Sequence, residues 1–314
     1  MSLERKIIEA PFESYFGVFL TLACTFKCDY CVQKISLPNQ PIAHYPLVSG
    51  KEWVDALNSI TGRVKRRFFR PAKRKKISIT GGEPTLHPDF VYILNNLDRN
   101  WNITVTSNFT SPFFSGNAAQ LRQIRKRYYL KFNGSFHFLY TPLDKFIENM
   151  LKVKKTGFKV HTIFIVGHPG HMEEIQRYKK ELLKAHPLVK VQRFLGYYQG
   201  KLYPCKEGYD INYQQEDGIY NYQDYTEGFS QKEKRPVYCR MNKVLFSPSG
   251  DMYNCHYKLY TGHGEKMGNI FAKNLHIVLP GGFFLCQDYG FCNPCDAEGH
   301  PFKRVGGEEF NISG

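Results

Sequence analysis

Over its first two hundred residues the chain alternates short apolar runs with stretches of helical periodicity. The runs at 15–22, 77–80, 103–106, 132–138, 160–166 and 189–194 are short and rich in β-branched and aromatic residues, which predicts strands. Helices are predicted between them at 51–59, 89–98, 118–127, 144–154 and 172–184. Trp53, Val54 and Leu57 share one face of the first helix, and Phe146, Ile147, Met150 and Leu151 recur at helical spacing in the fourth. Single short strands separated by helices predict an α/β fold with a parallel sheet. Six such units make a partial (β/α)6 TIM-like barrel over residues 1–196. Chemistry in such barrels collects at the C-terminal ends of the strands.

The pattern changes after residue 196. Residues 197–238 are rich in Tyr, Gly and Asn without clear periodicity and form a connecting segment. Residues 239–314 hold five of the nine cysteines and are expected to be a small appended domain and tail whose short elements need a metal. A hydrophobic content of 42% with 15% aromatics is ample for a core and excludes general disorder. No apolar run approaches the ~18 residues of a membrane helix, and the N-terminus is charged where a signal peptide is apolar, so a cytoplasmic location is expected. An odd number of cysteines there argues against a disulfide framework and leaves metal ligands, a reactive thiol or small core residues. The net charge of +15 is uneven: residues 63–76, RVKRRFFRPAKRKK, hold nine Lys or Arg and no acid. Such a run is a solvated loop or a docking patch for RNA or an acidic partner. It ends before the second strand, at the barrel's N-terminal end and away from the chemistry.

Directly after the first strand stands Cys24-x3-Cys28-x2-Cys31. Three thiolates so closely spaced can wrap a loop around one cluster, and three ligands on a [4Fe-4S] cluster leave one iron open. A zinc ion with a distant fourth ligand or packed core thiols are the alternatives. The motif resembles that of the radical S-adenosylmethionine (radical SAM) enzymes, and the resemblance covers about residues 14–196. It implies that the open iron holds the methionine end of SAM and that Tyr30, before the last cysteine, lies near the adenine. The second strand ends Thr80-Gly81-Gly82-Glu83-Pro84. Paired glycines let a ligand approach the backbone closely, and a carboxylate can accept from an ammonium. The resemblance assigns Gly81, Gly82 and Glu83 to the methionine amino group, Ser107 and Asn108 to the ribose, and Ser135 to a SAM contact. His137 shares a strand face with Ser135 and is either a substrate contact or a hydrogen-bonded core histidine.

A second cysteine group reads Cys239-x10-Gly250-x4-Cys255, then Cys286-x5-Cys292-x2-Cys295. The segment around Gly250 predicts a hairpin. A hairpin with a cysteine on each side, met by a C-x2-C knuckle, is similar to the SPASM/twitch extensions of radical SAM enzymes. That similarity implies an auxiliary [4Fe-4S] cluster on Cys239, Cys255, Cys292 and Cys295; Cys286 is left over, and including it gives a rearranged site or a second, incomplete cluster. Zinc accepts the same four thiolates. The full SPASM pattern has seven cysteines, whereas six lie outside the first motif here. The remaining Cys205 is an inert thiol, a cluster ligand or a hydrogen donor to a substrate radical.

The resemblance implies reductive cleavage of SAM to a 5′-deoxyadenosyl radical and abstraction of hydrogen from a substrate. Net oxidation, by dehydrogenation or crosslinking, is expected. The electron would come from a donor such as flavodoxin or ferredoxin. Little chain precedes the first strand, so no leader-binding domain is expected there, which favours a small molecule or a separately presented peptide. Three alternatives stay open: an RNA-modifying radical SAM enzyme, motivated by the basic run; a peptide or sugar epimerase using Cys205; and a non-catalytic iron–sulfur or zinc binding module. The last has no need for Gly-Gly-Glu.

Overall fold

All six predicted strands form, and their side chains sort into two faces. The computed structural model describes residues 6–10, 15–35, 43–64, 75–116, 118–125, 129–194, 196–199, 201–203, 236–240, 243–279, 283–287, 302–304 and 309–310. The strands up to the connecting segment are β1 (Lys6–Ala10), β2 (Tyr15–Phe19), β3 (Ile60–Val64), β4 (Lys75–Thr80), β5 (Trp101–Ser107), β6 (Leu130–Phe136), β7 (Lys159–Gly167), β8 (Val189–Arg193), β9 (Gly196–Tyr198) and β10 (Lys201–Tyr203). Beyond it lie β11 (Val237–Arg240), β12 (Lys243–Phe246), β13 (Asp251–Tyr253), β14 (Gly268–Asn269), β15 (Leu275–Val278), β16 (Phe283–Cys286), β17 (Phe302–Arg304) and β18 (Glu309–Phe310). The helices are α1 (Val32–Ile35), α2 (Gly50–Asn58), α3 (Phe90–Asn96), α4 (Ala119–Gln123), α5 (Leu143–Lys155), α6 (Met172–Ala185) and α7 (His256–Thr261).

Strands β2, β4, β5, β6, β7 and β8 are parallel neighbours in that order. In β5, Trp101, Ile103 and Val105 are buried while Asn102, Thr104 and Thr106 are half-buried. In β6, Leu130, Phe132 and Phe136 alternate in the same way with Lys131, Asn133 and Ser135. The apolar set packs under the helices with Trp53, Phe90, Leu121, Phe146, Met150 and Leu182. The polar set is left facing the lumen, the reverse of a filled barrel, and this leaves room for ligands.

Helix ends are set by neighbours. Ser49 and Glu52 form a reciprocal capping box at the start of α2. The helix expected over 118–127 stops at Gln123. Asn95 of α3 donates to Gln123 O (2.9 Å) and accepts from Arg125 N–H (2.6 Å), replacing the next helical bonds. Among the described residues no helix is long and apolar enough to cross a membrane.

Two features depart from the sequence expectation. First, β1 pairs in parallel with β3 and β15, making a separate three-stranded sheet. Second, the hairpin expected near Gly250 does form, with Gly250 at φ 78° in its turn, but it is not set apart in a C-terminal domain. Its first strand, β12, pairs in parallel with β2 (Lys243↔Tyr15 to Phe246↔Val18), and β13 and β14 continue the same nine-stranded sheet. The apolar β12 edge explains the docking: all four of its residues are buried, and Phe246 meets Phe16 at 6.1 Å between ring centroids. A different, four-stranded sheet of order β16-β11-β17-β18 carries Cys239 and Cys286.

We expect Phe246→Ala to cost about 3–5 kcal/mol. The loss should fall on the barrel as a whole, read as a single lowered denaturation midpoint; an unchanged barrel with only local C-terminal opening would contradict the shared sheet. A pH dependence follows from His87, which is buried with Nε2–H donating to Val48 O (3.0 Å) and Nδ1 accepting from Asp89 N–H (3.1 Å). Burial holds its pKa below the usual histidine value. The unfolded chain therefore binds the proton first, and this part of the stability is lost as pH falls below about 6.5. Between about pH 7.5 and 5.5 the wild type should lose more stability than His87→Gln; equal losses would exclude His87 as a source.

Candidate active site

Beyond Phe19 the chain crosses the top of the sheet and is pinned there by backbone bonds. Gly82 N–H donates to Thr21 O (3.1 Å) and Glu83 N–H to Ala23 O (2.7 Å). The approach leaves no space for a side chain: a Cβ on Gly82 would stand 2.0 Å from Ala23 O, and one on Gly81 2.6 Å from Thr21 O. The glycine pair is thus required by the cysteine loop itself, a reason beyond the ligand approach that the sequence suggested.

The Glu83 carboxylate is fully buried and is held by protein donors. Oε1 accepts from Thr85 Oγ1 (2.5 Å), Ser107 Oγ (2.9 Å) and Thr85 N–H (3.3 Å); Oε2 accepts from Asn108 N–H (2.9 Å). Burial pushes its pKa up against the pull of these donors. Asn108 then passes the connection to the cysteine loop. Its Nδ2 donates to Thr25 Oγ1 (2.9 Å) and lies 3.8 Å from Cys24 Sγ.

Cys24, Cys28 and Cys31 open onto one cavity of about 650 Å³, shared with Tyr30, Gly81, Gly82, Ser107, Asn108, Ser135 and His137. All three are free thiols. Burial, then the nearby Cys31 and Cys24, push the Cys28 thiol up to about 12, and burial likewise raises Cys24 and Cys31. Thiols that repel each other's charge this way suit a cationic iron centre, which deprotonates its thiol ligands outright. Among the described residues no three Cys, His, Asp or Glu side chains converge tightly enough to hold one metal ion. A cluster takes its thiolates on separate irons, and the three cysteines that would hold one line the same cavity.

His137 lines the cavity, but its nitrogens are engaged by protein. Nε2 lies 3.0 Å from Ser135 Oγ, and Nδ1 lies 3.2 Å from Tyr30 Oη and 3.8 Å from Cys28 Sγ. The second cysteine group is described in part. Cys239 pairs with Phe284 and Val237 with Cys286, so Cys239 and Cys286 are diagonal neighbours on one sheet face. Cys255 caps α7. Cys205, Cys292 and Cys295 lie outside the described residues.

Sequence reasoning missed Thr85 and Thr25, and the contribution of α7. His256 and Tyr260 reach the cavity edge-on to Phe19 at 6.0 and 5.9 Å. Glu83-Pro84-Thr85 carries a readable signal, an N-cap acid followed by proline at the first helical position. Lys190 and Gln192, which also line the cavity, are readable as alternate positions of the last strand.

The Radical SAM superfamily profile matches residues 18–182. The chain belongs to the radical SAM superfamily. It is accordingly a radical SAM enzyme, and the family implies SAM binding and a [4Fe-4S] cluster. Among curated proteins it is 36% identical over 86 residues to a GTP 3',8-cyclase of Pasteurella multocida, covering 27% of this chain and 22% of that protein. It is 33% identical over 113 residues to the GTP 3',8-cyclase of Haemophilus influenzae, covering 33% and 29%. It is also 33% identical over 86 residues to human molybdenum cofactor biosynthesis protein 1, covering 27% and 12%. The chain thus matches less than a third of these relatives' length. Among solved structures, Streptococcus suis SuiB bound to S-adenosylmethionine aligns with a TM-score of 0.51 at 17% identity, over 84% of this chain and 63% of that one. Native anSMEcpe with bound AdoMet aligns with 0.50 at 15% identity, over 82% and 78%. These likenesses show the fold.

Removing the Glu83 acceptor leaves buried donors on Thr85, Ser107 and Asn108 unsatisfied, each worth about 1–3 kcal/mol. We expect Glu83→Ala to lower the denaturation midpoint of the apoprotein markedly. An unchanged midpoint with weakened SAM binding would instead return Glu83 to a direct ligand contact.

Proposed function

We propose that Cys24, Cys28 and Cys31 hold a [4Fe-4S] cluster with one open iron, and that the enzyme removes a hydrogen atom from a small molecule or peptide in the barrel lumen, with net oxidation. The observation that carries this reading is the single cavity onto which the three thiols, the Gly81–Gly82 backbone, Ser107 and Asn108 all open. Cluster and SAM, when bound and reduced by one electron, supply a 5′-deoxyadenosyl radical. The protein's residues bind and orient. The Gly81–Gly82 backbone offers close approach to the methionine end. The Asn108 amide steadies the cysteine loop through Thr25. Tyr30, buried against His137, offers an aromatic surface to the adenine.

Substrate would lie toward Ser78, Thr80, Lys190 and Gln192, with His256 and Tyr260 of α7 closing one side. Cys255 precedes His256 directly, so an auxiliary cluster on Cys239, Cys255, Cys292 and Cys295, with Cys286 beside Cys239, would stand near that wall and could take the second electron. A flavodoxin or ferredoxin is the expected source of the first. The GTP 3',8-cyclase relatives favour a second reading, in which a nucleotide is the substrate. Their matches extend over 113 residues or fewer in the pairs above, about a third of this chain, which supports shared SAM chemistry more than shared substrate.

Anaerobic reconstitution should give about eight irons per chain, two clusters of four, and 5′-deoxyadenosine on reduction with SAM. Replacing Cys24, Cys28 and Cys31 together by Ala should leave about four irons and abolish 5′-deoxyadenosine. Four irons in the wild type, with zinc in the C-terminal site, would remove the auxiliary cluster. A cyclised product from added GTP would replace the oxidative reading with the nucleotide one.

A further inference from the structure

Three polar side chains of the cavity bond to one another, and the chain of contacts ends on Cys28. Ser135 Oγ meets His137 Nε2 at 3.0 Å, and His137 Nδ1 stands 3.2 Å from Tyr30 Oη and 3.8 Å from Cys28 Sγ. Tyr30 and Cys28 also pack in one buried cluster with Phe194. The imidazole is held by two rings: it stacks on Tyr30 at 5.9 Å and 15°, and Phe26 meets it in a T-shaped contact at 5.8 Å. We infer that Ser135, His137 and Tyr30 form a hydrogen-bond relay that sets donors on the Cys28 sulfur and raises the reduction potential of the cluster that this sulfur ligates. The inference rests on Cys28 being a cluster ligand, as proposed above.

Donor accounting fixes the direction of the relay. An uncharged imidazole carries one N–H, on either of its two nitrogens. With the proton on Nε2, the lone pair of Nδ1 would face the thiolate, which is repulsive. With the proton on Nδ1, that N–H faces Tyr30 Oη and Cys28 Sγ, while Nε2 accepts from the Ser135 hydroxyl. The Tyr30 O–H is then free to turn to the sulfur. A thiolate at Cys28 therefore selects the second arrangement, and Ser135 is the group that locks it. Donors to cluster sulfurs draw electron density from the cluster and favour its reduced state. Their partners also fix the orientation of the ligand. In the relay all three residues act through Cys28, as positioning residues; the ring of Tyr30, which Tyr30→Phe keeps, is separate from its hydroxyl's part here.

The test is a potentiometric titration of the anaerobically reconstituted full chain, followed by electron paramagnetic resonance. The relevant signal is the one that disappears when Cys24, Cys28 and Cys31 are replaced together. Tyr30→Phe and His137→Phe keep the rings and remove the donors. Each should move that signal to a more negative potential, by about tenfold in the reduction equilibrium, which is 59 mV for one electron, at unchanged iron content. Ser135→Ala should shift it the same way by less. His137→Asn returns an N–H close to the place of Nδ1 and should recover most of the loss. If His137→Phe does not load, Tyr30→Phe carries the test alone. Wild-type potential in every loaded variant overturns the relay and leaves the cluster reading intact. A shift in His137→Phe that Asn fails to recover also overturns it, because repacking would then be the cause. A wild type that assembles no such cluster overturns both.

Discussion

The ordering of this site depends on one buried carboxylate. A charged group out of water is tolerated only when hydrogen-bonded, and Glu83 finds its donors on Thr85, Ser107 and Asn108. Those donors come from the segment just past β4 and from the C-terminal end of β5, so satisfying the carboxylate fixes two strand ends against each other. The backbone of the same residue bonds Ala23, and Asn108 reaches Thr25 and Cys24. The loop that carries the thiols is thereby fastened to the rigid top of the sheet at several points. Rigid placement of this kind is what a cluster site needs from its scaffold.

The polar lumen is the second constraint. Apolar residues of β5 and β6 face the helices, so the inner wall is left to Ser, Thr and Asn, and the interior stays open. The C-terminal hairpin extends that wall rather than standing apart from it. Through β12, it aligns in parallel with β2, and α7 brings His256 and Tyr260 to the cavity rim. Cys255 immediately precedes this helix as its N-cap.

Much of this was legible in the sequence. Local periodicity finds the barrel strands because β-branched and aromatic residues recur at alternate positions over short segments. The cysteine spacing and Gly81-Gly82-Glu83 located the site because each motif is contiguous. What escaped is non-local. Lys6–Ala10 and Ile60–Val64 are weakly patterned, and they become strands through each other and Leu275–Val278, from the far end of the chain. The hairpin at Gly250 was readable, whereas its docking on β2 depends on an apolar β12 edge that local pattern cannot assign to a partner. The donors that hold Glu83 include Ser107 and Asn108, which the end of a different strand supplies. His137 was placed on the correct face by the two-residue period, but its engagement depends on Tyr30 arriving from the cysteine loop.

The central claim is that Cys24, Cys28 and Cys31 hold an iron–sulfur cluster with an iron open to SAM. Electron paramagnetic resonance of the reduced, anaerobically reconstituted protein, recorded with and without SAM, tests it most directly. The signal should change in shape and g values when SAM is added, because SAM binds the open iron, and should be absent when the three cysteines are replaced. A signal insensitive to SAM, or one that survives their replacement unchanged, would contradict it.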